Sequence, residues 1–233
     1  TAAFMNRIVE PLEPRNWKMF WEKYLRRVED KLASFPQNTP LQLARTEISH
    51  RCRCFAEKPG GVYRLHVPTG GGKTLSSLRY ALAHAAKWGK KRILFVTPLL
   101  AILEQNAKVI REYMDDDSIV LEHHSNVIQT AETGESLDMR ELAVDSWHVP
   151  MIHTTMVQLL NTLFSGKTTS VRRFQALCDA VVVIDEVQTI PNHMLTLFNL
   201  AVNFLSEVCH TTFLLCSATQ PCLEQANHPL VES

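Results

Sequence analysis

Six short runs of β-branched and apolar residues recur along this chain, and what separates them constrains the fold more than any other feature. The runs are VYRLHV, RILFVT, SIVLEHH, PMIHTT, AVVVID and TFLLCS. Between them lie KTLSSLRYALAHAAKW, LLAILEQNAKVIREYM and NHMLTLFNLAVNFLSEV, whose apolar residues recur at helical spacing. Parallel strands cannot be joined by a tight turn and need a crossover, which a helix supplies. The runs are apolar at both alternating positions, as strands covered on both sides must be. The predicted class is therefore α/β, a parallel sheet flanked by helices on both faces. Acidic DDDSIV and AETGESLDMRE (131–141) are expected as loop or insertion.

Residues 1–40 differ from the rest. NWKMFWEKYLRRVEDKLASF places Trp17, Trp21, Tyr24, Val28 and Leu32 on one helical stripe, with Glu22, Lys23, Arg26, Arg27 and Glu29 on the other side. FPQNTP (35–40) then breaks the pattern. The expectation is an N-terminal helical extension over 1–40, its stripe packed on a neighbouring domain, and one domain over 41–233.

Lysine plus arginine and aspartate plus glutamate both number 24, so any surface for a polyanion must be local. KWGKKR (87–92) and Arg172 with Arg173 are the basic clusters available. No apolar run approaches the ~20 residues of a membrane span, and the first residues lack the apolar core of a signal peptide. Cys178, Cys209 and Cys216 sit in apolar stretches, and Cys52 and Cys54 have no second pair to complete a zinc site. Reduced cysteines and a cytoplasmic location are expected.

Chemistry concentrates in three stretches. VPTGGGKTLSSLRY (67–80) follows the first strand and opens a helix. In an open parallel sheet, ligands sit at the carboxyl ends of the strands. Thr69, Gly70, Gly71 and Gly72 form a turn whose backbone N–H groups can face phosphate oxygens, beside the positive end of the helix. Lys73 supplies a charge for the β and γ phosphates, and Thr74 a hydroxyl ligand for Mg²⁺. Val67 stands where the strict pattern has glycine, but it ends the strand and matters less than the glycines. AVVVIDEVQ (180–188) is a buried strand ending in two carboxylates: Asp185 to hold Mg²⁺ and Glu186 to orient and deprotonate water. CSATQP (216–221) follows the last strand.

Glycine-rich loop, Asp-Glu-x-x, then Ser-Ala-Thr, in this order, resembles the superfamily 2 helicases. The resemblance implies a RecA-like nucleotide-binding domain using ATP and Mg²⁺. It also implies a catalytic part for Gln188 and coupling of hydrolysis to nucleic-acid grip by Ser217 and Thr219. TPLLAILEQNA (97–107) and HTTMVQLLNTLFS (153–165) lie at strand-to-helix junctions where such helicases touch a single strand. Thr97, Pro98, Thr154 and Thr155 are the expected contacts there.

The whole set, with LEHHSN and VVIDEVQTIP, is similar to the CRISPR-associated type I helicase–nuclease from about Leu41 to Cys222. That resemblance implies a motor pulling on single-stranded DNA, recruited by an RNA-guided surveillance complex and joined to an HD nuclease domain. A DEAD-box RNA helicase would read Asp-Glu-Ala-Asp where this chain has Asp-Glu-Val-Gln.

The nuclease's spaced histidines are missing. His123 and His124 are adjacent, so on a strand they point to opposite faces and are poorly placed to share a metal. Such motors carry a second RecA-like domain with an arginine finger. With Thr1 as the first residue and Ser-Ala-Thr near the end, the expected object is the first motor domain alone, with 1–40 as a linker remnant. The resemblance also implies an adenine-reading glutamine upstream of the loop, for which Gln37 and Gln42 are the candidates, with Gln42 preferred. Two rivals stand beside this reading: an RNA helicase or remodeller ATPase, and a non-hydrolysing, nucleotide-dependent docking module.

Overall fold

The structure is a computed structural model describing residues 16–124, 143–218 and 229–231. Each of the six apolar runs is a strand: β1 (Val62–His66), β2 (Arg92–Thr97), β3 (Val120–His123), β4 (Met151–Thr155), β5 (Ala180–Ile184) and β6 (Thr212–Ser217). They form one six-stranded sheet in the order β1-β6-β5-β2-β4-β3, and every pairing is parallel. Because the strands run parallel, their carboxyl ends share one edge. His66 pairs with Ser217, and Thr97 with Thr155, so the loops that follow emerge side by side.

Among the described residues seven longer helices cover the sheet: α1 (Trp17–Ala33), α2 (Pro40–Phe55), α3 (Lys73–Trp88), α4 (Leu100–Met114), α5 (Met156–Phe164), α6 (Thr168–Leu177) and α7 (Leu195–Glu207). Alternate strand residues divide the core in two. Ile93, Phe95, Val181, Val183 and Leu214 face α1–α4, while Leu94, Val96, Val182, Ile184 and Phe213 face α5–α7. This is the double covering that the unbroken apolar runs require.

The N-terminal stripe forms helix α1, and Trp21, Tyr24 and Val28 are buried in the same core as the sheet. The indole N–H of Trp21 donates to the Lys90 carbonyl at 2.6 Å, and the Tyr24 hydroxyl donates to Asp116 at 2.7 Å. The Glu29 carboxylate pairs with Arg79 of α3. The surface that the stripe covers thus belongs to the same packed body, chiefly α3.

Parts of both basic clusters are engaged within the protein, while Lys91 and Arg172 are exposed. Lys90 donates to the His210 carbonyl and Lys87 pairs with Glu57 at 2.8 Å, at the sheet edge opposite the carboxyl ends. Arg173 is buried, donates to the Val144 carbonyl at 2.8 Å and lies over the Trp147 ring. His123 is a core residue that accepts from the Trp147 indole at 3.2 Å, with burial holding its pKa near 3. Asp115 ends α4 in a left-handed turn and Asp116 caps a 3₁₀ turn (Asp117–Ile119), so DDD is a connection as expected. The acidic stretch 131–141 lies outside the described residues.

Candidate nucleotide site

The phosphate loop leaves β1 through Val67, whose buried side chain closes the underside of the turn. Gly71 shows why glycine is needed: an added Cβ would lie 2.6 Å from the Val67 side chain and 3.0 Å from the Pro68 carbonyl. Gly70 and Gly72 have φ of 78° and 83°, in the left-handed region where other residues are strained. Gly72 is the N-cap of α3 and offers no side-chain cap, so the first N–H groups of that helix face the loop.

Strand β6 lies between β1 and β5, so the loop must reach across the end of β6 to meet the Asp-Glu pair. Lys73 makes that reach. Its ammonium stands 2.8 Å from Asp185 and also bonds Glu186. Burial opposes the lysine charge, but the two carboxylates outweigh it, so its pKa lies above the ordinary value. For Glu186, burial raises the pKa; bonds from Lys73, Gln188 and the Ala218 backbone N–H overcome that and hold it below the usual carboxylate range. Glu186 has φ of 51°, a left-handed conformation that costs on the order of 1 kcal/mol for such a residue. Its own N–H donates to Asp185 at 3.0 Å.

Thr74 and Asp185 line one small space with Asn106 of α4, and the Thr74 hydroxyl donates to the Asn106 side-chain Oδ1 at 3.3 Å. A hydroxyl that donates elsewhere keeps its lone pairs for a cation, and two hard oxygen donors suit Mg²⁺. The residues present therefore fit that ion, with water and phosphate completing its shell.

A cleft of about 350 Å³ opens beside Gly72, lined among others by Phe35, Pro36, Gln42, Arg45 and Arg79. It adjoins the phosphate loop through Gly72. Gln42 lines it, although its side-chain oxygen accepts from the backbone N–H of Asn38 and Thr39 at 2.9 and 3.0 Å. This is the reciprocal cap of α2, with Thr39 as N-cap. Only its amide N–H₂ remains to meet a base. Thr39-Pro40-Leu41-Gln42 carries that capping signature openly. Gln37, in the turn between α1 and α2, is exposed.

The expected strand contacts separate. Thr154 is fully buried and its hydroxyl donates to the His123 carbonyl at 3.1 Å, so it is corrected to a core residue. Thr97 is also buried, with its hydroxyl turned to the Leu99 carbonyl at 3.4 Å, and is corrected likewise. The reason is common to both: they belong to strands whose two faces are covered. Thr155 caps α5 by accepting from the Gln158 N–H at 3.4 Å, and it stays at the edge with Pro98. Ser217 is buried and its hydroxyl bonds the His66 ring at 3.2 Å. Thr219 lies outside the described residues. Ala218 enters from the Ser-Ala-Thr segment and Asn106 from the 97–107 junction, though neither is among the expected site residues, whereas Arg45 enters from α2 with no motif to announce it.

A parallel sheet with a glycine loop, lysine and paired carboxylates at its carboxyl edge defines a RecA-like, phosphate-loop nucleotide-binding domain. The chain belongs to the DEAD/DEAH box helicases, whose family model matches residues 49–227, and it carries the ATP-dependent motor domain of that family. No curated protein matches it. Among solved structures, T. fusca Cas3 with AMPPNP shares 19% identity and a TM-score of 0.65 over 84% of this chain and 22% of that one. The DUF1998 helicase MrfA bound to DNA and AMPPNP shares 17% identity and a TM-score of 0.54, over 90% of this chain and 28% of that one. DEAD-box helicase Mss116 bound to ssRNA and UDP-BeF shares 13% identity and a TM-score of 0.59, over 91% of this chain and 42% of that one. The chain thus spans about a fifth of the length of the Cas3 structure. Among the described residues no helix is long and apolar enough to cross a membrane, and no cluster of three or more acidic, histidine or cysteine side chains forms a metal site.

Proposed function

We propose that the chain is the ATP-binding half of a single-stranded-DNA translocase serving CRISPR type I interference. The observation that carries the motor reading is the junction of Lys73, Asp185 and Glu186 with the Ala218 backbone. It puts the phosphate lysine, the carboxylate pair and the Ser-Ala-Thr segment within one hydrogen-bonded group. Lys73 would leave the carboxylates for the phosphates of ATP. Glu186 would then lose the cation that depresses its pKa and become the stronger base for water, oriented by Gln188. Mg²⁺, held by Thr74 and Asp185, would supply charge neutralisation at the phosphates. A second RecA-like domain would provide the arginine finger, typically worth ~10³–10⁵ in rate.

DNA as the track, the guide-RNA surveillance complex as recruiter and an HD nuclease domain as companion rest on two supports. One is the Asp-Glu-Val-Gln box in place of Asp-Glu-Ala-Asp. The other is Cas3 among the structural relatives. Pro98 and Thr155, on adjacent loops at the carboxyl edge, are the proposed backbone contacts.

The test is ATP turnover by this chain with no nucleic acid, with single-stranded DNA and with single-stranded RNA. Nucleotide binding is followed in parallel. Lys73→Ala should abolish binding, whereas Glu186→Gln should keep binding and remove residual turnover. Stimulation by RNA alone would make it an RNA helicase. Nucleotide binding without turnover, even with a second motor domain supplied, would make it a docking module.

A further inference from the structure

We infer that Arg45 latches the phosphate loop in a nucleotide-free form, and that phosphate can be cradled only after this latch opens. The inference rests on the nucleotide-site reading above. Its observation is a single peptide unit, Gly70–Gly71, pinned at both ends. The Gly70 carbonyl accepts from Arg45 Nε at 2.8 Å, and the Gly71 N–H donates to the Pro68 carbonyl at 2.9 Å.

In a planar trans peptide the C=O and N–H point in opposite directions. Two bonds, one on each group, therefore fix the rotation of that plane. In the orientation they fix, the Gly71 N–H turns back into the Pro68–Gly71 turn and away from the cradle. Turning it toward a phosphate swings the Gly70 carbonyl away from Arg45. The Arg45 bond and a phosphate-facing Gly71 N–H thus exclude each other. Glycine on both sides makes the rotation cheap, since it turns ψ of Gly70 and φ of Gly71 and neither residue carries a Cβ to clash.

The rest of the site is engaged in the same sense. Lys73, the other phosphate ligand, is bonded to Asp185 and Glu186. The stem of Arg45 rests against Gly72, its Cγ 3.4 Å from where a Cβ would stand. The same side chain lines the cleft beside the loop. One residue of α2 therefore touches the base cleft, the loop carbonyl and the helix cap together, so a base entering the cleft meets the group that must release the loop.

The experiment follows binding of a fluorescent ADP analogue by stopped flow, with the Gly71 amide observed by NMR in free and ADP-bound protein. In the wild type the observed binding rate should reach a plateau with increasing ADP, because loop rotation precedes capture. Arg45→Met should raise that plateau about fivefold, the size set by one solvent-exposed hydrogen bond. It should also move the free-state Gly71 amide signal toward its ADP-bound position. Arg45→Gln, which keeps a polar end, serves as the second variant and should move both readouts the same way. A folded Arg45→Met protein with an unchanged or lower plateau and a wild-type Gly71 signal would overturn the latch. Failure of the wild type to bind ADP at all would instead sink the nucleotide-site reading, and the latch with it.

Discussion

Replacing Lys73 by methionine tests the electrostatics of the site without any ligand. Methionine fills much of the lysine's volume and removes its charge, leaving Asp185 and Glu186 side by side. The three side chains are 14%, 18% and 24% exposed, so the group lies between two known limits. Exposed ion pairs contribute ~0–1 kcal/mol, whereas breaking a buried pair costs ~3–5 kcal/mol. Solvent at this depth places the loss at about 2 kcal/mol, or a Tm fall of roughly 4–8 °C for a chain of this size. Adding Glu186→Gln removes one of the stranded charges and should restore about 1 kcal/mol.

The pH dependence follows from the two shifts. Glu186 has a folded pKa below its unfolded value, so its contribution is present above pH ~4.3 and is lost as pH falls through the folded value. Lys73 has a folded pKa above its unfolded value, so its contribution is full below pH ~10.4 and is lost as pH rises through the folded value. The deficit of Lys73→Met should therefore be full at pH 7 and shrink below pH 4. Urea unfolding of the nucleotide-free protein across that range measures it. A variant as stable as the wild type at pH 7, or a deficit that ignores pH, would refute the reasoning.

Two further outcomes concern the frame. Trp21→Ala should cost about 3–5 kcal/mol, because the indole is fully buried on α3 and bonded to Lys90; loss under 1 kcal/mol in urea unfolding would show α1 to be a loose attachment. His153 is fully buried, stacks on Phe95 at 5.1 Å and has neither ring nitrogen partnered, with burial holding its pKa near 3. Its folded pKa is below the unfolded ~6.5, so acidification protonates the unfolded chain first and removes about 2 kcal/mol between pH 7 and 5. His153→Phe should gain about that much on the wild type over this interval, and parallel stability curves for the two proteins would count against it.

The strands and the chemistry of the loop were legible because both are local. β-branched runs such as AVVVI favour extended backbone, and in the three glycines before Lys-Thr the motif itself carries the need for positive φ at Gly70 and Gly72 and for a missing Cβ at Gly71. The cap at Thr39 and Gln42 was equally local, yet a glutamine near a phosphate loop invites a base-reading role, and its oxygen is already engaged by backbone N–H groups. Thr154 misled for another reason. Its place at a junction is a sequence fact, but its burial depends on β3 lying outside β4 and offering the His123 carbonyl.

The sequence by itself determined that this is a parallel α/β domain with a glycine-rich phosphate loop and an Asp-Glu pair at a strand end, since the alternation of strand and helix runs and the short motifs are all written along the chain. Tertiary structure alone decided that β6 separates β1 from β5, that Lys73 bridges the gap to Asp185 and Glu186, and that α1 completes the core. It also decided that Arg45 holds the loop. These contacts join residues far apart in the chain. No local periodicity encodes them, and they exist only once both faces of the sheet have been packed.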